Sequence, residues 1–295
     1  MTTSLIRRRS RALALVPTAL FLGLAAFISA DIAHAIVGGD PDGKRHPFVG
    51  IVAYQLTMGG PWYVPNGGNA VLVSPTVAVT AGHVLEIPLT RERLGVDPYA
   101  RGVVFDPVPV DRNAPMDLAV FREVPASAVH VAKFVAWHPD LFASPDTPND
   151  IGVLVFEQPV TGRPTARIAK PGLFDTLSSV YEPRMEIVGY GGTEFACCPP
   201  AGGGNRYSGT TALVDLTADV IITAALEEDQ ASAGPGDSGA AVLIDHNMLV
   251  GVLSSFDPPP DPDMLPFGRY NRTDSESACE FLSNYLPLRC SRIGY

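Results

Sequence analysis

From residue 36 onward the chain is cut into short apolar runs separated by Gly, Pro, Asn and Asp. The runs are Val49–Tyr54, Ala70–Val73, Val77–Thr80, Gly102–Phe105, Ile151–Phe156, Met185–Val188, Thr211–Leu216, Ala240–Ile244 and Leu249–Leu253. Segments of this length, rich in β-branched residues and bounded by turn formers, read as strands of an all-β barrel or sandwich. Helical spacing recurs only near the end. There Ala278, Phe281, Leu282 and Tyr285 mark a helix over Ser275–Tyr285, and Pro287 stops it. Gly and Pro, 28 residues each in 295, exceed ordinary usage and supply the turns. The formal net charge of −10 argues against a nucleic-acid partner, which needs a basic footprint. Four cysteines are too few for a disulfide-dense small domain.

Residues 1–35 have a different texture. Arg7, Arg8, Arg9 and Arg11 precede an apolar run, Ala12 to Ala30, and Ala33-His34-Ala35 forms an A-x-A cleavage signature. A basic start, an apolar middle and a small-residue end define a secretory signal peptide rather than a membrane anchor, although the run is long enough to span a bilayer. The expected protein is secreted, works in an oxidising compartment and has no membrane contact after cleavage. Removing four arginines and one acid leaves residues 36–295 with a net charge of −13.

Three motifs carry candidate chemistry. They are Val79-Thr80-Ala81-Gly82-His83, Asn149-Asp150-Ile151-Gly152-Val153-Leu154 and Gly236-Asp237-Ser238-Gly239. A neutral Ser hydroxyl is a weak nucleophile and needs a neighbouring base. His suits that role near neutral pH. A buried carboxylate then holds the His tautomer and stabilises the imidazolium. The order His, Asp, Ser separates this chain from α/β-hydrolases, which run Ser, acid, His and need G-x-S-x-G; here residue 240 is Ala. Cleavage after Ala35 would also free Ile36-Val37-Gly38-Gly39 as a new N-terminus.

Together these segments resemble the chymotrypsin/trypsin-like serine protease family over nearly all of residues 36–295. Pro65–Val84, His138-Pro139 with Asn149-Asp150, Gly189-Tyr190-Gly191, Val250–Ser255 and Phe267–Thr273 resemble successive family segments. The resemblance implies two six-stranded antiparallel β-barrels packed around a cleft, with a C-terminal α-helix. It divides the chain into a signal peptide, 1–35; an N-terminal barrel, 36–160, carrying His83 and Asp150; and a C-terminal barrel and helix, 161–295, carrying Ser238. It implies His83, Asp150 and Ser238 as catalytic residues and the N–H groups of Gly236 and Ser238 as the oxyanion hole. It further implies an activating pair between the freed Ile36 ammonium and Asp237. Signal cleavage itself would then activate the protein. The expected partner is a protein or peptide substrate, with no cofactor, no metal and a monomeric state. The alternatives are a non-catalytic homologue acting as a binding module and an esterase-like hydrolase using the same triad.

Several positions depart from the family pattern or compete with it. Asp117-Leu118-Ala119-Val120 also resembles the Asp motif, but Asp150 follows His138-Pro139 at a suitable interval. The 67-residue separation of His83 from Asp150 implies an insertion between Arg91 and Pro125. Val84 and Gly234 stand where the family usually has cysteines. Cys279 and Cys290 are the favoured bridge once the helix breaks, because a continuous helix would hold them ~16 Å apart. Cys197 and Cys198 are left to pair with each other, stay free or join the other two. Metal-ligand spacing of the CxxC type is absent. For specificity, the resemblance places Ser232 at the pocket floor and Ser254, Ser255 and Gly268 on its walls. Ser232 in place of an acid disfavours cleavage after Lys or Arg and favours small or apolar residues. Asp257–Asp263 reads as a proline-stiffened surface loop rather than a Ca²⁺ site, and the sequon at Asn271 as a chance match on a pocket-wall strand.

Overall fold

The structure, a computed structural model, describes residues 36–65, 67–86, 89–108, 121–143, 149–176, 184–192, 204–257 and 264–290. The expectations for the signal peptide, Asp117, Cys197, Cys198 and residues 258–263 fall outside these residues. The strands are β1 (Asp40–Pro41), β2 (Val49–Gln55), β3 (Trp62–Pro65), β4 (Asn69–Ser74) and β5 (Val77–Thr80), followed by β6 (Ala100–Val104), β7 (Phe121–Val124), β8 (His130–Trp137) and β9 (Gly152–Phe156). After β10 (Arg167–Ile168) come β11 (Met185–Gly189), β12 (Tyr207–Leu216), β13 (Val220–Ala224), β14 (Ala241–Ile244), β15 (Met248–Asp257) and β16 (Phe267–Arg272).

These strands form two closed antiparallel barrels of six. In the first, the hydrogen-bonded ring runs β2-β4-β5-β9-β8-β6 and returns to β2. In the second it runs β12-β11-β14-β15-β16-β13 and returns to β12. Closure removes the unpaired edges that an open sheet would expose. It also explains the sequence texture. Val49 to Tyr54 of β2 and all of β5 are buried on both faces, so these strands read as continuous apolar runs and not as alternating ones.

The expected fold class is observed, with differences in detail. β3 and β7 pair with each other outside the first ring. β7 falls in the window where an insertion is expected. β8 escapes the apolar-run reading because it is only half covered, with Phe134 and Trp137 both exposed. Segment 161–172 hydrogen-bonds to both barrels: Ala166 N–H donates to Leu72 O, and Arg167 and Ala169 N–H donate to Asn247 and Leu249 O.

Three short α-helices occur among the described residues. They are α1 (Gly82–Glu86), α2 (Leu89–Leu94) and α3 (Glu276–Ser283). Ser275 caps α3 by accepting from the Ala278 N–H at 3.3 Å. Ala278, Cys279, Phe281 and Leu282 form its buried face. The helix ends at Ser283, two residues before the expected limit, and no proline is needed to stop it. The turn that follows lets the tail fold back, and Cys279 and Cys290 form a disulfide with Cα atoms 5.5 Å apart.

Candidate active site

His83 sits on α1 directly after β5 of the first barrel. Its backbone N–H donates to Asp150 Oδ1 at 2.8 Å, and its Nδ1–H donates to Oδ2 at 2.7 Å. One carboxylate thus fixes both the turn and the ring. The tautomer that gives Nδ1–H to Asp150 leaves the lone pair on Nε2. Asp150 is fully buried, whereas the His83 side chain is 24% exposed. The base is therefore reachable and its orienting acid is not.

Asp150 is held from both barrels. Ser254 Oγ of β15 donates to Oδ2 at 2.6 Å. The Asp150 N–H donates to Asn271 Oδ1 of β16 at 3.0 Å. Buried carboxylates need this satisfaction, since each missing donor costs ~1–3 kcal/mol. Asn271 is itself buried and engaged, so its sequon belongs to the fold interior.

Ser238 lies in the loop between β13 and β14, and the first barrel stitches that loop in place. Asn69 on β4 donates from Nδ2 to the Gly236 and Ser238 carbonyls at 3.2 and 3.1 Å, and from its backbone N–H to Ser238 O at 2.7 Å. Its Oδ1 accepts from the Tyr190 N–H at 2.7 Å. Gly68 N–H donates to Gly236 O at 3.1 Å. Gly239 has φ +78°, and a Cβ there would lie 2.3 Å from Asn69 O and 3.2 Å from Ala81 N. Only glycine permits this approach, which brings the Ser238 loop against the residues that lead into His83. Among the described residues, neither the Gly236 nor the Ser238 N–H donates to another group, and the Ser238 hydroxyl has no hydrogen-bond partner.

Asp237 is fully buried. Its Oδ1 accepts from the Gly191 N–H at 2.9 Å and its Oδ2 from the Gly234 N–H at 3.0 Å. The Ile36 N–H donates to it as well. Burial nevertheless pushes its carboxyl up to about 7, because hydrogen bonds without a cation do not replace water. Ile36 is buried and adopts φ +61°, a left-handed conformation that is an outlier for a β-branched residue. Val37 bridges to Ser232, whose N–H donates to Val37 O at 2.9 Å.

Of the residues expected at a pocket, Ser232 is buried and gives its hydroxyl to Pro266 O. A Cβ at Gly268 would lie 2.7 Å from Tyr270 Cε2, so the Tyr270 ring lies across that glycine. Ser254 faces Asp150. Ser255 lies beside it on β15, paired with Arg269. Burial, with the nearby Asp237 charge, drives the Tyr270 hydroxyl well above its ordinary range. Asn69 is absent from the sequence reading and Asn271 enters it only as a sequon, because nothing local marks either as a site residue; only the strand register brings each to its partner.

The sequence matches no family model and no curated protein. Solved structures do match. One is the inactivated protease paralogue S-I1 of the scabies mite, 16% identical, covering 84% of this chain and 97% of that one, with a TM-score of 0.53. Another is GrC, 13% identical, covering 84% of this chain and 98% of that one, with a TM-score of 0.55. At these identities the likeness is one of fold, and that fold is chymotrypsin-like.

Proposed function

We propose that this chain is a secreted serine endopeptidase. The observation that carries the reading is the His83–Asp150 couple, with a buried acid, beside a Ser238 loop whose two candidate N–H donors are unspent. Ser238 Oγ attacks the peptide carbonyl carbon while His83 Nε2 takes its proton. The Gly236 and Ser238 N–H groups stabilise the oxyanion. His83 then protonates the leaving amine, and water resolves the acyl-enzyme by the same steps in reverse. Ser232 in place of an acid supports cleavage after small or apolar residues. The protein works as a monomer of two catalytic barrels, 36–160 and 161–295, behind a signal peptide, 1–35.

Activation follows from removal of residues 1–35. The Ile36 nitrogen already reaches Asp237 as an amide. As a freed ammonium it would supply the cation that this buried carboxylate lacks.

A second reading, a non-catalytic binding module, draws on the unpartnered Ser238 hydroxyl and on the inactivated mite paralogue. Catalytic hydrogen bonds are often long without substrate, so the first reading is preferred. A fluorophosphonate probe separates the two. Labelling of Ser238 that disappears in His83→Ala supports the enzyme, and absence of labelling in the processed protein refutes it. Parallel peptide and ester assays then distinguish an endopeptidase from an esterase.

A further inference from the structure

His46, Glu186 and His246 come together, and among the described residues none of them hydrogen-bonds to His83, Asp150 or Ser238. His46 precedes β2, Glu186 is on β11, and His246 is in the turn between β14 and β15. His46 Nε2 lies 3.4 Å from Glu186 Oε2, and His246 Nδ1 lies 2.6 Å from the same oxygen. The three ligand atoms all fall within 4.8 Å of one another.

The surroundings fix the His46 ring. Its Nδ1 lies 2.5 Å from Asp42 Oδ1, and Asp42 Oδ2 accepts from Arg206 Nε at 2.6 Å. Asp42, paired with the Arg206 guanidinium, backs the Nδ1 side of the ring. The ring's other nitrogen, Nε2, is thereby turned toward the Glu186 carboxylate. A carboxylate behind one imidazole nitrogen, with the other nitrogen presented to a shared point, is the outer-shell arrangement of histidine metal ligands.

The spacing fits one ion. Two ligands bound tetrahedrally to Zn²⁺ at ~2.0–2.2 Å lie ~3.3–3.5 Å apart, and His46 Nε2 and Glu186 Oε2 already stand 3.4 Å apart. To match that spacing, His246 must move by about 1 Å or somewhat more, back from Glu186 Oε2 and toward His46, whose ligand atom lies within 4.8 Å of its own. It can do so, because its side chain is 82% exposed. Its φ of +62°, next to Asp245 at +51°, is uncommon for a residue with a side chain, and this turn holds the imidazole over Glu186. Two imidazoles and one carboxylate suit Zn²⁺.

We propose that His46, Glu186 and His246 bind a divalent metal ion of the Zn²⁺ class and clamp the segment behind Ile36 to the second barrel. The site stands apart from catalysis, so its test does not depend on the protease reading. The full chain, stripped with a chelator and dialysed, is titrated with Zn²⁺ against a chromogenic competitor, and thermal unfolding is followed in parallel. One Zn²⁺ should bind per chain with Kd of about 1 μM or tighter and raise the melting temperature. His246→Ala, at an exposed turn, should keep the fold by circular dichroism yet weaken binding at least ~10-fold and remove the melting shift. Glu186→Gln should do the same. His83→Ala, which removes another partly exposed imidazole, should leave binding intact. No saturable binding up to about 1 mM overturns the site. So does binding that survives His246→Ala but is lost in His83→Ala.

Discussion

Asp237 makes a sharp prediction about the unprocessed chain. Its carboxyl is fully buried and lies at about 7, against an ordinary value near 3.8. The difference is roughly three powers of ten in the ionisation constant, worth about 4 kcal/mol at ~1.36 kcal/mol each. In the extended chain, where Ile36 is an amide, the native state keeps its proton between those two values while the unfolded state has lost it. Stability therefore falls as pH rises from 4 to 7, and is flat with respect to this group on either side. In a chain that starts at Ile36, the ammonium sits beside the carboxylate and holds it ionised, so that loss is absent. Its own stabilisation is complete below the ordinary amine value of ~7.7–8.0 and is lost as pH rises through a raised folded-state value. The assay is urea unfolding of the two proteins, one beginning at Ile36 and one extended by two residues, from pH 4 to 9. Subtracting the curves cancels every other titrating group. The processed protein should gain about 4 kcal/mol over the extended one between pH 4 and 7, and the gain should shrink well above pH 8. A difference curve flat within ~1 kcal/mol over that range would refute the proposed pairing of Ile36 with Asp237.

Other outcomes are open to measurement. Ser238→Ala should lower turnover by ~10⁶ and Asp150→Asn by ~10⁴, while Asp117→Asn leaves it nearly unchanged in a peptide-cleavage assay. Ser254→Ala removes one of three donors to the Asp150 carboxylate and should slow turnover about tenfold, with the fold intact by circular dichroism. Asn69→Ala should cost about 3 kcal/mol in unfolding and slow probe labelling of Ser238, because it removes the side-chain donor to both loop carbonyls and the acceptor of the Tyr190 N–H. Replacing Cys279 and Cys290 together by Ser should cost about 3 kcal/mol for a loop of this size, and little activity.

What the sequence made legible was local. Burial on both faces left β2 and β5 as unbroken apolar runs, and the helix pattern of α3 survived because one face packs on the core. The motifs around His83, Asp150 and Ser238 are each a few residues long. The structure brings the first two within one hydrogen bond and sets the third on the loop that Asn69 holds. The illegible part depends on register. Asn271 serves Asp150 across 121 residues, Ser254 across 104 and Asn69 serves Ser238 across 169. The His46, Glu186 and His246 cluster has no spacing signature for the same reason. β8 was missed because half of it faces outward, so its pattern is neither continuous nor cleanly alternating.

The left-handed backbone at Ile36 has a consequence for the direction of processing. φ is a torsion about a bond flanked by the preceding carbonyl carbon, so it exists only while residue 35 is attached. A strained torsion of this kind costs of order 1–3 kcal/mol, and Ile36 bears it at φ +61°. Hydrolysis of the 35–36 bond deletes the torsion altogether instead of relaxing it. The new terminus would keep its reach to Asp237, free of the old constraint. Rejoining the bond would have to rebuild both the peptide and its distortion inside a packed interior. The processing proposed above would thus work as a ratchet: the same isoleucine that resists its place in the longer chain would fit it once it came first.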